Sequence, residues 1–449
     1  MAGKLFGKKI QKKEVFYGSF AIGVSDKKDA FVAQSARNCD CGDGTLARNF
    51  GMYPYTLNNI NYKVSAGLVG NIFVTWDSDS AGNKRERIGY VTYQNAAFIF
   101  SQETATFSNI GVLAGGGSLT SAIDKDGKYQ TIFVSSTGVY RLDERRLIQC
   151  APTVCNSVAC FCNGRVFTAD DCRLVYSAPF APTDYTENVD DSGAIFMRHD
   201  CGKIVGLATL KNRLCILYEY GVSMMEIGGS ARSFVRKDVA YNGAKIFGET
   251  LCVANVGGEK AYFLAEDGIY RFDGANVEKV CKNIPIRAET KYPFGRAVVE
   301  NKYLVTFMAN TKTWRTICVD LESGLGSETF LMSCLPAYGE KAVFRNGSGL
   351  FVPVKNGALP TGEKASFFVP KTDFSMPCSK TLTGLRFTGE GNFEITVSNG
   401  EISHTQNCYF EGGVAKITLA LRSKEFSVTI RPAAATVIRT MTAELQTLA

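Results

Sequence analysis

Histidine is the usual acid–base residue at neutral pH, and this sequence of 449 residues contains only two. His199 lies between Arg198 and Asp200, where an ion-paired or solvated side chain is expected rather than a catalytic base. His404 lies in a polar stretch that is typical of a loop. Because the sequence also lacks G-x-S-x-G, H-E-x-x-H and P-loop motifs, it predicts a protein that is not an enzyme.

Cysteine is the next candidate for chemistry, since the chain has fifteen. One group is dense enough to be considered as a metal site: Cys150, Cys155, Cys160, Cys162 and Cys172. Its spacing matches no zinc-binding pattern, and the sequence has no C-x-x-C pair. Other cysteines lie inside apolar segments, where a free thiol behaves as a small hydrophobic group. The sequence therefore predicts no structural metal site.

Three turn-like segments resemble ligand-binding loops only weakly. Residues 77–82 and 124–127 are rich in Asp and Gly, but they lack the bidentate Glu and the number of carboxylates that a calcium loop needs. The glycine run at 114–118 is followed by neither a helix nor a Lys-Ser/Thr pair, so it does not predict a phosphate site. We expect hairpin turns at the two Asp-rich segments, a flexible turn at the glycine run, and no cofactor.

The clearest charged feature is the N-terminus. The chain carries a formal net charge of +7, which is modest for its length. Residues 1–16 contain five lysines against one glutamate: Lys4, Lys8, Lys9, Lys12 and Lys13. This pattern indicates either a solvated tail or a basic arm that binds an acidic partner, protein or DNA. No signal peptide or membrane-spanning segment is predicted, and the chain is expected to be made in the cytoplasm.

The elements that must carry these residues are short strands. Aromatic and β-branched segments alternate with Gly, Asn and Asp turns, and no long window has helical periodicity. A turn followed by a strand recurs at Gly127, Asn163, Asn212, Gly258, Asn301 and Gly339, in steps of 36 to 49 residues. A second repeat, Thr137–Asp143, returns as Asp267–Asp273. Repeats of this length are typical of β-propeller blades.

The sequence therefore predicts an all-β chain with a β-propeller of six or seven blades over residues 17–356. Two successive β-sandwiches explain the alternation equally well, but they do not explain a hairpin repeated at this period. After a linker near residue 357, the strands alternate strictly, which predicts a separate C-terminal β-sandwich over 357–449. Residues 1–16 form the basic arm.

Several short motifs occur in an order that is informative as a whole. They are Ala36-Arg37-Asn38, residues 43–48, Asn163-Gly164-Arg165-Val166-Phe167, residues 174–185, residues 204–214 and residues 268–274. In this order the chain resembles bacteriophage tail hub or nozzle proteins, the packaged-DNA stabilisation proteins of short-tailed phages. The resemblance is best over residues 36–280.

The resemblance implies a structural protein of the virion tail that is assembled in the host cytoplasm. It implies a homo-oligomeric ring, a hexamer, below the portal and adaptor proteins. Such a ring extends the DNA channel, helps to retain the packaged genome and anchors tail fibre, spike or needle proteins. DNA would pass through its lumen without sequence-specific binding.

Two further hypotheses stay open at this point. One is a propeller that acts as a monomeric protein-interaction adaptor. The other is a carbohydrate-binding or glycosidase-like propeller, which would gather charged side chains at its central channel. The candidates for that role are Arg165, Arg173, Arg213, Glu219, Arg271 and Asp273. As turn partners or solubilising charges at blade edges, the same residues need no ligand.

Overall fold

The computed structural model describes residues 10–23, 29–57, 60–61, 69–92, 94–101, 104, 106–113, 118–151, 156–187, 191–197, 200–289, 295–330, 337–338, 342–346, 349–355 and 357–448. Within these residues the regular structure consists of β-strands and a 3-10 turn at Ala231–Ser233. Short β-rich segments bounded by Gly, Asn and Asp form these strands, as expected for pleated, half-buried surfaces.

The N-terminal strands are β1 (Ile10–Tyr17), β2 (Ser19–Ile22), β3 (Ala30–Ala33), β4 (Ser35–Arg37), β5 (Cys39–Asp40), β6 (Leu46–Arg48), β7 (Phe50–Pro54), β8 (Thr56–Leu57) and β9 (Ile60–Asn61). The next strands are β10 (Val69–Ser78), β11 (Lys84–Thr92), β12 (Ala96–Ser101), β13 (Thr106–Val112), β14 (Ser118–Ile123), β15 (Tyr129–Ser135), β16 (Gly138–Asp143), β17 (Arg146–Ala151), β18 (Asn156–Cys162), β19 (Arg165–Asp170), β20 (Arg173–Tyr176) and β21 (Gly193–Phe196).

They are followed by β22 (Ile204–Leu210), β23 (Arg213–Tyr218), β24 (Gly221–Glu226), β25 (Val235–Val239), β26 (Ile246–Asn255), β27 (Glu259–Ala265), β28 (Gly268–Phe272), β29 (Val277–Val280), β30 (Gly295–Val299), β31 (Lys302–Met308), β32 (Trp314–Asp320) and β33 (Gly326–Thr329). The last are β34 (Ala337–Tyr338), β35 (Phe344–Asn346), β36 (Gly349–Lys355), β37 (Ser366–Thr372), β38 (Lys380–Glu390), β39 (Asn392–Ser398), β40 (Ser403–Tyr409), β41 (Val414–Ser423), β42 (Phe426–Pro432) and β43 (Val437–Leu448).

Six consecutive groups of four antiparallel strands form propeller blades. Blades 1 to 6 are β10–β13, β14–β17, β18–β21, β22–β25, β26–β29 and β30–β33. The first strands of blades 2 to 6 contact one another in sequence, so they surround a common axis. This arrangement confirms the predicted propeller, because each blade is too small to bury both of its own faces.

A seventh blade closes the ring. Its strands β35 and β36 come from the end of the propeller sequence, while β7 comes from its beginning and pairs with β36 from Phe50↔Lys355 to Pro54↔Phe351. The short strand β34 runs parallel to β10 of blade 1. Seven hydrophobic clusters separate neighbouring blades, and one of them joins blade 7 to blade 1 through Val343, Leu350, Ile72 and Val74.

The predicted repeats occupy equivalent places in the blades. Gly127, Asn163, Asn212, Gly258 and Asn301 lie in or beside the turns between the first and second strands of blades 2 to 6, whereas Gly339 lies outside the described residues. The segments 137–143 and 267–273 each contain the third strand of a blade, β16 and β28. The hairpin interpretation of these repeats is therefore confirmed.

The C-terminal strands form the predicted sandwich. One sheet has the order β41-β38-β43-β6-β5, with β1 also paired to β43, and the other contains β4-β37-β42-β39-β40. Alternate side chains of both sheets fill one core, which includes Phe367, Leu385, Phe393, Ile417 and Val428. Strand β41 alternates exposed and buried residues over nearly its whole length, as the period-2 pattern predicts.

The sandwich also contains N-terminal strands that the sequence pattern predicts to belong to the arm and the propeller. Strand β1, which overlaps the predicted arm, pairs with β43 from Ile10↔Leu448 to Tyr17↔Met441. Residues 17–48, predicted as part of the propeller, bury Phe20, Phe31 and Leu46 in the sandwich core. The structure thus divides the N-terminal part differently from the predicted ranges 1–16 and 17–356, because its apolar side chains find their partners after residue 365.

Strand β4 physically joins the two domains. It pairs with β33 of blade 6 through Arg37↔Glu328 and with β37 of the sandwich through Arg37↔Ser366. A nine-stranded sheet therefore runs from blade 6 into the sandwich. The Arg37 guanidinium also binds the Glu363 carboxylate, at a Nη2–Oε1 distance of 2.7 Å. In the described part of the chain no helix is long and apolar enough to cross a membrane.

Candidate functional site

The charged residues proposed for a carbohydrate site lie in separate places. Each is bound by its own neighbours: Arg173 by Asp170, Arg213 by Glu226, Glu219 by Lys245, Arg271 by Glu278, and Asp273 by the main-chain N–H groups of residues 275 and 276. None of them lies on the first strands that surround the propeller axis. The structure does not bring this set together at the channel.

Arg165 is the sixth member of that set, and it is almost completely buried, at 1% exposure. Its guanidinium donates hydrogen bonds to the carbonyl oxygens of Ser177 at 2.9 Å, of Gly229 at 2.7 Å and of Asp191. It also lies over the Phe234 ring at 5.6 Å. Burial lowers the pKa of Arg165. Because its donors are occupied by the backbone, this arginine holds loops together and does not face a ligand.

The Asp-rich turns are held by hydrogen bonds from their own main chain to the aspartate side chains. Asp79 accepts main-chain hydrogen bonds from Ala81 and Asn83, and Asp124 accepts them from Asp126 and Lys128. The Asp77 carboxylate binds both Arg85 and Arg87. The turns between 77 and 84 and between 124 and 128 are thus explained by Asx-type hydrogen bonding.

The cysteines of the candidate metal group are divided between strands and turns. Cys160 and Cys162 lie in β18, Cys150 lies in β17, Cys172 lies in a turn, and Cys155 lies outside the described residues. Burial raises the pKa of the Cys160 thiol to about 12, so it stays protonated and unreactive at neutral pH. Among the described residues, no cluster of three or more His, Cys, Asp or Glu side chains could hold a metal ion.

The described residues include one of the two histidines and two of the five lysines of the basic arm. His404 is exposed on β40, beside Gln406, whereas His199 lies outside the described residues. Lys12 and Lys13 are exposed on β1, and Lys4, Lys8 and Lys9 also lie outside the described residues. The described lysines of the arm are therefore presented on a strand of the sandwich.

A buried charged group that sequence reasoning missed lies where the two domains meet. The Lys302 ammonium of blade 6 binds Asp40 Oδ2 of β5 at 2.5 Å and Asp320 Oδ2 of β32 at 2.8 Å. Burial works against the charge of Lys302, but the two carboxylates outweigh it and raise its pKa. Burial likewise opposes the charge of Asp320, yet bonds from Lys302 and Ser323 lower its pKa overall.

This triad borders an open cavity of about 560 Å³ between the N-terminal segment and blade 6. The cavity wall carries charges of both signs. Its further acidic residues include Asp43, Glu300 and Glu322, and its further basic residues are Arg48 and Lys355. The ion pair between Lys302 and Asp40 crosses the domain boundary, since β5 belongs to a sheet of the sandwich. The group is therefore best described as a joint that fixes the propeller to the sandwich.

Exposed apolar side chains mark a different kind of surface on the propeller. We define the B–C face as the face that carries the turns between the second and third strands of the blades. Phe196 ends β21 opposite Arg173, next to this turn in blade 3, and is 73% exposed. Tyr220 lies in the equivalent turn of blade 4 and is 52% exposed. Exposed aromatic side chains are typical of protein-interaction surfaces.

Phe196 and Tyr220 carried no signal in the sequence that set them apart from core aromatics. Tyr220 follows the buried Tyr218 at the end of β23, and Phe196 ends β21 after the half-buried Ile195. Exposure at a blade edge depends on where the next blade ends, which a single strand pattern does not encode. The B–C face is the candidate functional site that the structure adds.

No protein-family model and no curated protein matches the chain. Among solved structures, the extracellular domain of BT4673 from B. thetaiotaomicron is 10% identical, with a TM-score of 0.44, over 93% of this chain and 64% of that chain. In a second structure of that domain, this chain covers 59% of the length. The chain thus spans less than two thirds of both BT4673 structures.

Two smaller solved structures are also similar. The RRP9 WD40 repeats are 10% identical, with a TM-score of 0.43, over 67% of this chain and 99% of that chain. Virginiamycin B lyase from Staphylococcus aureus is 11% identical, with a TM-score of 0.36, over 67% of this chain and 96% of that chain. At this level of similarity the propeller assignment rests on the strand pairing of the chain itself.

Proposed function

We propose that this protein is a non-enzymatic scaffold that works by binding other protein chains. The observation that carries the proposal is the exposed aromatic pair Phe196 and Tyr220 on the B–C face, at 73% and 52% exposure. Burying large aromatic side chains supplies much of the free energy of protein association. The charged residues that could have served a glycosidase are instead bound by their own neighbours.

The test compares a Phe196→Ser/Tyr220→Ser variant with the wild type in the cell that produces the protein. A tagged wild-type chain is expected to be recovered in a stoichiometric complex that the variant loses. Val235→Ser serves as a matched control, because Val235 is 59% exposed but lies at the opposite face, paired with Glu226. Retention of every partner by the double variant would contradict an interface on the B–C face.

A narrower form of this function is a tail hub or nozzle subunit of a short-tailed phage. One observation favours it: the segment on which that resemblance begins, residues 36–48, contains the joint between the domains. Within it, the Asn38 side chain donates to the Lys364 carbonyl oxygen, and Arg37 binds Glu363. A rigid joint at these motifs would help a ring subunit to keep its shape against the pressure of packaged DNA.

Particle size and symmetry test this narrower form. A hexameric ring would sediment as a particle several times heavier than the 48.9 kDa chain and would show rotational symmetry by electron microscopy. A chain that stays monomeric while it binds its partner would favour the adaptor form of the scaffold. Deletion of residues 1–9, which removes Lys4, Lys8 and Lys9 and leaves β1 intact, is expected to weaken attachment of a ring to its neighbours through loss of basic charge.

A further inference from the structure

Several strand edges of the sandwich lack a paired neighbour among the described residues, and those of β40 and β1 are the ones considered for association. Strand β40 pairs with β39 alone, over seven consecutive positions from Ser403↔Ser398 to Tyr409↔Asn392 without a bulge. Strand β1 pairs with β43 alone, over eight positions. A regular, unbulged edge presents a row of backbone N–H and C=O groups that another strand can use.

The edge of β40 carries none of the features that normally protect an edge. Its seven residues include no Asp, Glu, Lys, Arg or Pro. The outer blade strands β17, β25 and β29 do carry charged residues. Exposed apolar side chains lie at both ends of β40, Ile402 at 60% and Tyr409 at 64% exposure. These are properties of an edge that accepts a strand rather than repels one.

The charges on β1 indicate which edge it can pair with. Strand β1 carries Lys12 and Lys13 against Glu14, so it keeps a net positive charge and is better matched by an edge flanked by acids than by a second β1. Strand β41 exposes Lys416 and Arg422, which have the same sign as the lysines of β1. Strand β40 is uncharged itself and is bracketed by Glu401 and Glu411, both exposed.

The two strands also match in length and in apolar ends. The eight residues of β1 end near two exposed apolar side chains, Ile10 and Phe16, each 58% exposed. On β40 the corresponding pair is Ile402 and Tyr409. Residues 10–14 of β1 are exposed on both faces of the strand. A strand from another chain could therefore pair there without clashing with side chains packed on β1.

We propose that β1 of one copy of this chain adds to the free edge of β40 of a second copy. Because β1 and β40 are different surfaces, the contact is heterologous and repeats from copy to copy, which closes into a ring when the rotation per subunit allows it. The inference rests on the proposed assembly function and specifies the partner as a second copy. Strand addition is an established way for sheets to recruit extended segments.

Charge swapping tests the contact on the full chain by sedimentation velocity. The wild type is expected to associate as its concentration rises, and Lys12→Glu/Lys13→Glu is expected to weaken that association about tenfold. Adding Glu401→Lys/Glu411→Lys to that variant is expected to restore it. Lys128→Glu/Lys237→Glu makes the same charge change on exposed lysines of blades 2 and 4 and is expected to have no effect. Unaltered circular dichroism verifies that each variant is folded.

A second measurement locates the contact directly. Tyr409, which is 64% exposed, is replaced by p-benzoylphenylalanine, and the irradiated oligomer is digested and sequenced. A crosslink between position 409 and residues 10–17 of an isotopically distinct copy supports the proposal. Three results would overturn it: a chain monomeric at every concentration, association indifferent to the charge swap, or a crosslink to a different protein. The Phe196/Tyr220 experiment has its own readout, so the scaffold function survives each of these results.

Discussion

Buried cations in this protein are held by backbone carbonyl groups rather than by acids in two places. Arg165 of blade 3 binds three carbonyl oxygens, two in its own blade and that of Gly229 in blade 4, and the Lys380 ammonium of the sandwich binds the carbonyl oxygens of Met376, Cys378 and Lys424. A charged donor satisfies several loop carbonyls at once, so one side chain orders segments that lack strand pairing. At the residue scale, Arg165 and Lys380 therefore fix loops.

Replacement of Arg165 tests that role. Arg165→Met would leave its three carbonyl partners without a donor in a buried site, which is expected to lower the free energy of unfolding by about 3 kcal/mol. Arg165→Lys should recover little, because an ammonium cannot reproduce the planar fork of a guanidinium. Arg213→Met is the control, since its side chain is 45% exposed and its partner Glu226 lies 3.6 Å away. Equal stability of Arg165→Met and wild type in urea unfolding would refute the assignment.

The Lys302 triad predicts a dependence on pH. Lys302→Met leaves Asp40 and Asp320 without their cation and should cost about 3 kcal/mol near neutral pH. The pKa of Asp320 is lowered in the wild type, so its stabilising contribution is present above about pH 4 and is lost as the pH falls through that lowered pKa. The stability difference between wild type and Lys302→Met should therefore shrink in acid.

Denaturant unfolding at neutral pH and at acid pH measures that difference. The raised pKa of Lys302 has the opposite sign: its contribution is full below about pH 10 and is lost only as the pH rises further. Lys312→Met is the matched control, because Lys312 is 73% exposed and its ion pair with Glu289 should contribute little. A difference that stays constant from neutral to acid pH would count against the assigned ion pairs.

At the scale of the element, the sequence predicted structures that depend on residues close together in the chain. The turn-and-strand repeat at Asn163, Asn212 and Asn301 and the hairpins at 137–143 and 267–273 are decided by nearby residues, namely Gly or Asn in turns and alternating apolar positions. Asn163 and Asn212 have φ of 46° and 57°, in the left-handed region that such turns require. These elements could be found without any knowledge of their partners.

The partners of the N-terminal strands could not be predicted in the same way. Strands β4 and β7 pair with residues about 300 positions later, as in Ala36↔Phe367 and Gly51↔Val354. Short strands of three to five residues carry too little pattern to specify a neighbour. The charged joint was missed for the same reason, because Asp40 and Lys302 meet only after the chain has folded.

A close approach of two inner strands gives an element-scale prediction. A Cβ on Gly248 of β26 would lie 1.7 Å from the Val205 carbonyl oxygen of β22. Since backbone rather than a flexible side chain is in the way, Gly248→Ala should push blades 4 and 5 apart and cost about 3 kcal/mol. Gly229→Ala is the control, because a Cβ there meets nothing within 4 Å. Similar melting temperatures for both variants would show that these strands can separate without cost.

At the scale of the whole molecule, the propeller and the sandwich are not independent domains, because the N-terminal segment supplies strands to both. Strand β7 supplies the third described strand of blade 7, while β1, β4, β5 and β6 belong to the sheets of the sandwich. The N-terminus therefore serves both domains before the propeller sequence begins. A fragment with the predicted boundaries 17–356 would expose Phe20 and Phe31, which the sandwich core buries, and should aggregate.

Cleavage between the domains tests this shared construction in the intact fold. A protease site inserted between Thr361 and Gly362 lies in an exposed turn that follows β36. After cutting, the C-terminal piece is expected to stay bound, because β1 pairs with β43, β4 pairs with β37, and both pieces contribute to one core. The nicked protein should elute at the volume of the uncut protein and separate only in denaturant. Release of the C-terminal piece under native conditions would mean that the two domains are independent, and it would remove the rigid joint on which the proposed scaffold function depends.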